Sequence, residues 1–122
     1  MDKVHGFTLV ELVIVIVILG ILSVIAIPKY IDLSTDANTA AIKGVAGALS
    51  SANATNFAAR TANSTKGIAI TNCTQVAGAL AGGVLPTGYT ITSASVTVNT
   101  TTSCTLTGPG STTANFSATG IN

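Results

Sequence analysis

The distribution of apolar positions divides the chain into unlike parts. From Leu12 to Ile27 the sequence reads LVIVIVILGILSVIAI, without a charged residue. Together with Gly6 to Val10 it approaches the ~20 residues that a helix needs to cross a bilayer. The β-branched run Val13 to Ile18 would also suit a buried strand, but strands usually span about 4–8 residues, so length favours a helix. Two residues disturb it. Gly20 weakens a helix from within, by about 1 kcal/mol relative to alanine. Pro28 removes an N–H and crowds the preceding turn, which predicts a bend. Beyond Pro28 the pattern turns amphipathic, with Ile42, Val45, Leu49 and Ala52 at spacings of three and four. Asp32, Asp36, Asn38, Lys43 and Asn53 fall largely on other faces. Gly44 and Gly47 flank the stripe, where small residues would allow close backbone approach. The helix is predicted to end near Ala59, with Phe57 as a core residue.

After Arg60 the composition shifts to Thr, Ser, Gly, Ala and Asn. Thr61 to Gly67 reads as a connecting loop. Thr74 to Ala81 can form a helical turn or two before the Gly82-Gly83 break. Alternating segments follow at Tyr89–Thr92, Ser95–Asn99, Cys104–Thr107 and Ala114–Ala118, with a turn signal at Gly108-Pro109-Gly110. They predict an antiparallel sheet of about four strands, rich in threonine as half-exposed strands are. Val84, Leu85, Ile91, Val96, Val98, Leu106 and Phe116 supply an apolar face for it. The predicted class is α+β: a long apolar N-terminal helix, kinked near Pro28 and packed on a small antiparallel head.

Charge narrows the chemistry. Apolar residues make up 48% of the 122 residues and charged ones 7%, and the formal net charge is +1. No Asp, Glu, Lys, Arg or His occurs after Lys66. General acid–base catalysis and hard-metal binding need titratable or anionic groups around a pocket. The C-terminal half offers none, so an enzyme, a metal centre and a cofactor are not expected. The cations Lys3, Lys29, Lys43, Arg60 and Lys66 are scattered, and direct nucleic-acid binding, which wants a positive face, is not predicted. Cys73 and Cys104 are the two cysteines. They cannot make a tetrahedral zinc site alone, whereas small exported domains with thin cores commonly use disulfides. Closing a loop of that length would contribute roughly 3–4 kcal/mol in the chain-entropy model.

The remaining question is Glu11, the acid at the start of the apolar run. A secretory signal peptide would end in a small-residue cleavage pattern, and Ala26-Ile27-Pro28-Lys29 lacks one. A plain membrane anchor explains the length but not an acid that costs roughly 2.5–3.5 kcal/mol in hydrocarbon. A cut just before Phe7 would create an α-amino group about one turn from Glu11, and that amine, from the same or a neighbouring copy, is the candidate partner.

The residues Gly6-Phe7-Thr8-Leu9-Val10-Glu11 resemble the processing motif of type IV prepilins and related pseudopilins. The resemblance implies a leader, residues 1–6, cut after Gly6, with Phe7 as the new, N-methylated N-terminus. It implies that Glu11 pairs with a neighbouring subunit's N-terminal amine during assembly. It also implies melting or kinking between Gly20 and Pro28 in the filament, and a Cys73–Cys104 bond like the one that staples many pilin heads. The short leader and Phe7 resemble the type IVa group, and residues 28–33 resemble mannose-sensitive haemagglutinin-type pilins. The expected organisation is a leader (1–6), a transmembrane and filament-core helix (7–27), an amphipathic continuation (28–59) and a disulfide-bonded β head (60–122).

The function so implied is structural: a pilus subunit, inserted in the bacterial inner membrane as a precursor, then assembled as a helical homo-oligomer on the cell surface. Its partners would be prepilin peptidase, the assembly machinery and copies of itself, with adhesion, motility or DNA uptake acting at the filament level. A type II secretion pseudopilin or a minor pilin is the alternative. Triplets starting at Asn53, Asn63, Asn72 and Asn99 match the N-glycosylation pattern. In a chain this rich in Asn and Thr, chance accounts for such matches, and nothing in the sequence selects a site.

Overall fold

The computed structural model describes residues 6–122, with the side chains of residues 26–32 outside that description. The chain divides into two compact units, Met1–Thr35 and Asp36–Asn122. One helix, α1, is assigned from Leu9 to Ala62 and contributes to both. The assignment is helical through Gly20 and Pro28, and the Pro28 side chain lies outside the described residues.

In the first unit α1 has no packing partner among the described residues. Every large apolar side chain from Phe7 to Ile25 leaves half or more of its surface exposed. Among the described residues no helix is long and apolar enough to cross a membrane. The described side chains of the apolar run stop at Ile25.

In the second unit α1 lies on a three-stranded antiparallel sheet of order β1-β2-β3, with β1 at Thr90–Ile91, β2 at Thr101–Thr107 and β3 at Thr113–Thr119. The β2–β3 hairpin pairs Thr101 with Thr119 through to Thr107 with Thr113. Its turn contains Gly110 at φ 67°, a backbone conformation that costs glycine nothing. Alternation along both strands buries Cys104, Leu106, Phe116 and Ala118 on one face, as a period of two requires. Ile42, Ala46 and Leu49 of α1 meet them in a single core with Ile70, Val76, Val96 and Ile121. Phe57 packs against this core, partly buried. A short 3₁₀ helix, Cys73–Ala79, is capped reciprocally by Asn72 and Gln75. Cys73 and Cys104 form a disulfide with Cα atoms 5.8 Å apart, joining this turn to β2.

Several expectations are corrected. The sheet has three strands, because Ser95–Asn99 makes only the bridges Asn72–Ser95 and Val98–Gly120. Val98 reaches Gly120 in parallel, and a Cβ on Gly120 would run into the Thr97 carbonyl. Two backbones therefore approach closely there, and glycine is required for contact rather than for strand pairing. Val84 does not join the sheet face and is 71% exposed. Gly44 and Gly47 have open space where a Cβ would stand, so they mediate no close approach within the chain. Asn53, expected on a polar face, is 3% exposed.

The burial of Asn53 has a clear physical reason. Its amide oxygen accepts the Thr119 N–H at 2.9 Å and its amide nitrogen donates to the Thr119 hydroxyl at 3.2 Å. One turn earlier the Ser50 hydroxyl accepts the Ser117 N–H at 3.1 Å. One turn later Asn56 pairs with both backbone groups of Ile68, at 2.8 and 2.9 Å. Helix side chains thus do for the outer edge of β3 what a further strand would do, and Ile70 completes the edge by bridging to Ile121. A buried backbone donor left without a partner costs about 1–3 kcal/mol. Asn53→Ala is expected to lower the unfolding free energy of the head by that amount, measured by denaturant titration of the full chain in detergent.

Candidate functional site

The start of α1 is built by its own side chains. The first N–H groups of a helix have no intrahelical partner and must find one elsewhere. Thr8, just before α1, accepts the Glu11 N–H on its hydroxyl at 3.2 Å. Glu11 returns the bond, its carboxylate accepting the Thr8 N–H at 2.8 Å. This reciprocal pair is a capping box, threonine at the cap and glutamate three residues on. The negative charge also sits in the first turn of α1, where the helix dipole favours it.

The geometry fixes where the acid looks. Glu11 is folded back toward the N-terminal end of the helix, beside the peptide group of Thr8 and so one residue from Phe7. Phe7 itself is 91% exposed, and Gly6 has no neighbouring atom within 4 Å of where a Cβ would lie. Among the described residues, then, nothing shields the Gly6–Phe7 peptide bond. Residues 1–5 of the expected leader lie outside the described residues. Thr8 was not singled out from the sequence as a site residue, although the threonine–x–x–glutamate spacing before an apolar run is its signature.

Of the other expected positions, Gly20 lies within α1, and its carbonyl accepts a bond from the Ser23 hydroxyl at 2.8 Å. Such back-bonding competes with the helical ladder. Cys73 and Cys104 stand in the second unit, where they brace the head. The head carries an open groove, about 450 Å³, between α1 and β3, lined among others by Lys43, Ala46, Gly47 and Ala114. No acid or histidine lines it.

Residues 1–27 match the family model described as the prokaryotic N-terminal methylation motif. The matched residues include the start of the long helix that runs on to the small antiparallel sheet. The chain is similar to a curated protein of Thermus thermophilus, the "Type IV narrow pilus major component PilA5". They are 52% identical over 52 residues, which cover 43% of this chain and 45% of that protein. The match thus spans less than half the length of the relative. No solved structure matches the chain.

A capped helix start is worth typically about 1 kcal/mol. Thr8→Ala should release the bond from the Glu11 N–H to the Thr8 hydroxyl and speed hydrogen exchange of that amide by about fivefold in detergent micelles, while Thr8→Ser restores the protected rate. Unchanged exchange in Thr8→Ala would show that the box contributes nothing.

Proposed function

We propose that the chain is a structural subunit of a type IV pilus, cut between Gly6 and Phe7 and polymerised through the first part of α1. The observation that carries this is the exposed apolar helix that begins with a carboxylate folded toward the cut site. A helix apolar on every side is stable only when surrounded by lipid or by protein. Before assembly the inner membrane supplies that surrounding, and afterwards copies of the same helix do.

The two kinds of residue divide the work. Fully burying a valine, leucine or isoleucine contributes about 1.5–3 kcal/mol, so the apolar side chains between Phe7 and Ile25 supply the driving force for leaving water. They do not set the alignment of one helix against the next, because one aliphatic surface packs on another in many registers. Glu11 sets it. An unpaired carboxylate in apolar surroundings costs more than a single burial returns, so only registers that bring it a cation survive. Cleavage after Gly6 makes that cation, the α-amine of Phe7, and its N-methylation leaves the positive charge in place.

Prepilin peptidase is the processing partner in this reading, and the precursor waits in the inner membrane before the filament emerges on the cell surface. The pseudopilin alternative gains no support from the head, which has no acidic residue after Asp36 to form a calcium loop. The head's contribution is a compact neutral surface carried outward, structural rather than catalytic.

Mass spectrometry of sheared filaments tests the processing. The expected chain starts at Phe7, carries one added methyl group and lacks the two hydrogens of the Cys73–Cys104 thiols; filaments built of chains that begin at Met1 would overturn it. Glu11→Ala tests the pairing. Surface filaments should fall about tenfold or more, counted by electron microscopy, with precursor still found in the membrane fraction. Normal filament numbers would refute the role.

A further inference from the structure

Five N-glycosylation triplets stand in the sequence, at Asn53, Asn63, Asn72, Asn99 and Asn115, and their surroundings in the fold differ. Asn115 lies in mid-strand in β3, paired with Thr105 of β2, and the residue between it and Ser117 is the buried Phe116. Asn53 is 3% exposed with both ends of its amide bonded to Thr119. It is closed to any transferase. Asn72 caps the 3₁₀ helix through its amide oxygen, its amide nitrogen donates to Ser93, and the residue between it and Thr74 is the buried, disulfide-bonded Cys73. Asn99 is held at φ 62° with its N–H bonded to the Gly120 carbonyl, and the Thr101 hydroxyl is paired with Thr119 on the neighbouring strand. The hydroxyl of that triplet is engaged away from its asparagine.

Asn63 shares one feature with Asn72, whose amide oxygen also accepts the N–H and hydroxyl of the threonine two residues on, both at 3.0 Å; it differs in exposure and in not having its amide nitrogen tied to another side chain as that of Asn72 is to Ser93. It lies just beyond the end of α1, in a stretch where residues 61–67 are all exposed. Its amide oxygen accepts the Thr65 N–H at 2.9 Å and the Thr65 hydroxyl at 2.8 Å. Both determinants of the triplet, the asparagine amide and the hydroxyl two residues on, therefore face each other at the surface. The amide oxygen is held by these two bonds, and the amide nitrogen is the reactive end.

We propose that Asn63 is a carbohydrate acceptor, modified on Nδ2 by an oligosaccharide delivered from a lipid diphosphate. In the step, Nδ2 attacks the anomeric carbon of the sugar and an N–C bond forms. The bond from that carbon to the diphosphate oxygen breaks, its electron pair leaving with the lipid diphosphate. The amide proton passes to a base of the transferase. No oxidant or reductant is involved. The attachment point lies in a loop whose side chains contribute nothing to the core, so a bulky polar addition there leaves the head's packing untouched. The proposal rests on the filament reading only in needing the head to be exported to a compartment where such donors act.

Trypsin isolates the site, since Arg60 and Lys66 bracket it. Residues 61–66 emerge as one peptide, Asn53 goes with residues 44–60, and Asn72, Asn99 and Asn115 stay in residues 67–122. Chains from surface filaments of the native host should give the 61–66 peptide with added sugar mass, located on Asn63 by electron-transfer fragmentation. The sugar should vanish in Asn63→Gln and in Thr65→Ala and persist in Asn99→Gln. Chains that start at Phe7 but carry an unmodified 61–66 peptide would overturn the acceptor site and leave the filament reading standing. Sugar placed on Thr61, Ser64 or Thr65, or only in the other peptides, would overturn it equally. Chains kept uncut in the membrane would count against both.

Discussion

A helix that is apolar around its whole circumference has no face to turn toward water, and it has no preferred face to turn toward a neighbour. Both properties belong to residues 7–25 of this chain. The first makes the helix dependent on lipid or on surrounding protein. In the proposed filament, the second means that something other than the apolar surface must decide how copies align. Glu11 is the one acidic side chain in that stretch, and the capping box turns it toward the end of the helix where a new charge would appear. The same carboxylate therefore has two successive partners in the proposed pathway: the Thr8 N–H while the chain is uncut, and an α-amine once Phe7 is free. A charge that is never without a hydrogen bond is one that a membrane can hold while the subunit waits.

The head solves a different problem with the same helix. A small domain cannot build a large core, and its three-stranded sheet leaves β3 with an open edge. Open edges invite pairing with other chains. Here Ser50, Asn53 and Asn56, spaced about one turn apart on α1, take up backbone groups of Ser117, Thr119 and Ile68. The helix closes the edge with amides and a hydroxyl instead of a strand. The disulfide adds a second brace, between the 3₁₀ helix and β2. Such a head can be nearly free of charge because its order comes from backbone pairing, a compact core and one covalent bond.

How much of this was legible in the sequence follows from which forces act locally. The apolar helix, the amphipathic continuation, β2, β3 and their turn were all readable, because periodicity and the Gly-Pro-Gly signal act over neighbouring residues. The disulfide was readable because two cysteines leave one pairing. Ser95–Asn99 was misread as a strand because alternation reports burial on one side, and Val96 is buried without the ladder a strand needs. Val84 was misread because an apolar residue after two glycines carries no sign of which way the loop turns. Asn53 is the most instructive error. Its polarity argued for a solvent face, yet it is buried because its partner, Thr119, lies 66 residues away, and no local pattern reports such a contact.

The candidate site shows the opposite case. Glu11 drew attention because it was out of place in an apolar run, while Thr8 beside it looked ordinary. Yet the Thr8 N–H orients the acid, and the Thr8 hydroxyl caps the Glu11 N–H in return. A glutamate alone at the third position of a helix can point along the axis or away from it, and in apolar surroundings the wrong choice leaves a charge unpaired. With threonine at the cap, the carboxylate has a backbone donor on the N-terminal side, and this bond is available in the uncut chain as well as the cut one. In the proposed assembly, substituting the acid removes the charge that selects a register; substituting the threonine leaves the charge and its backbone donor but takes the acceptor from the Glu11 N–H. The two positions are separable by that difference.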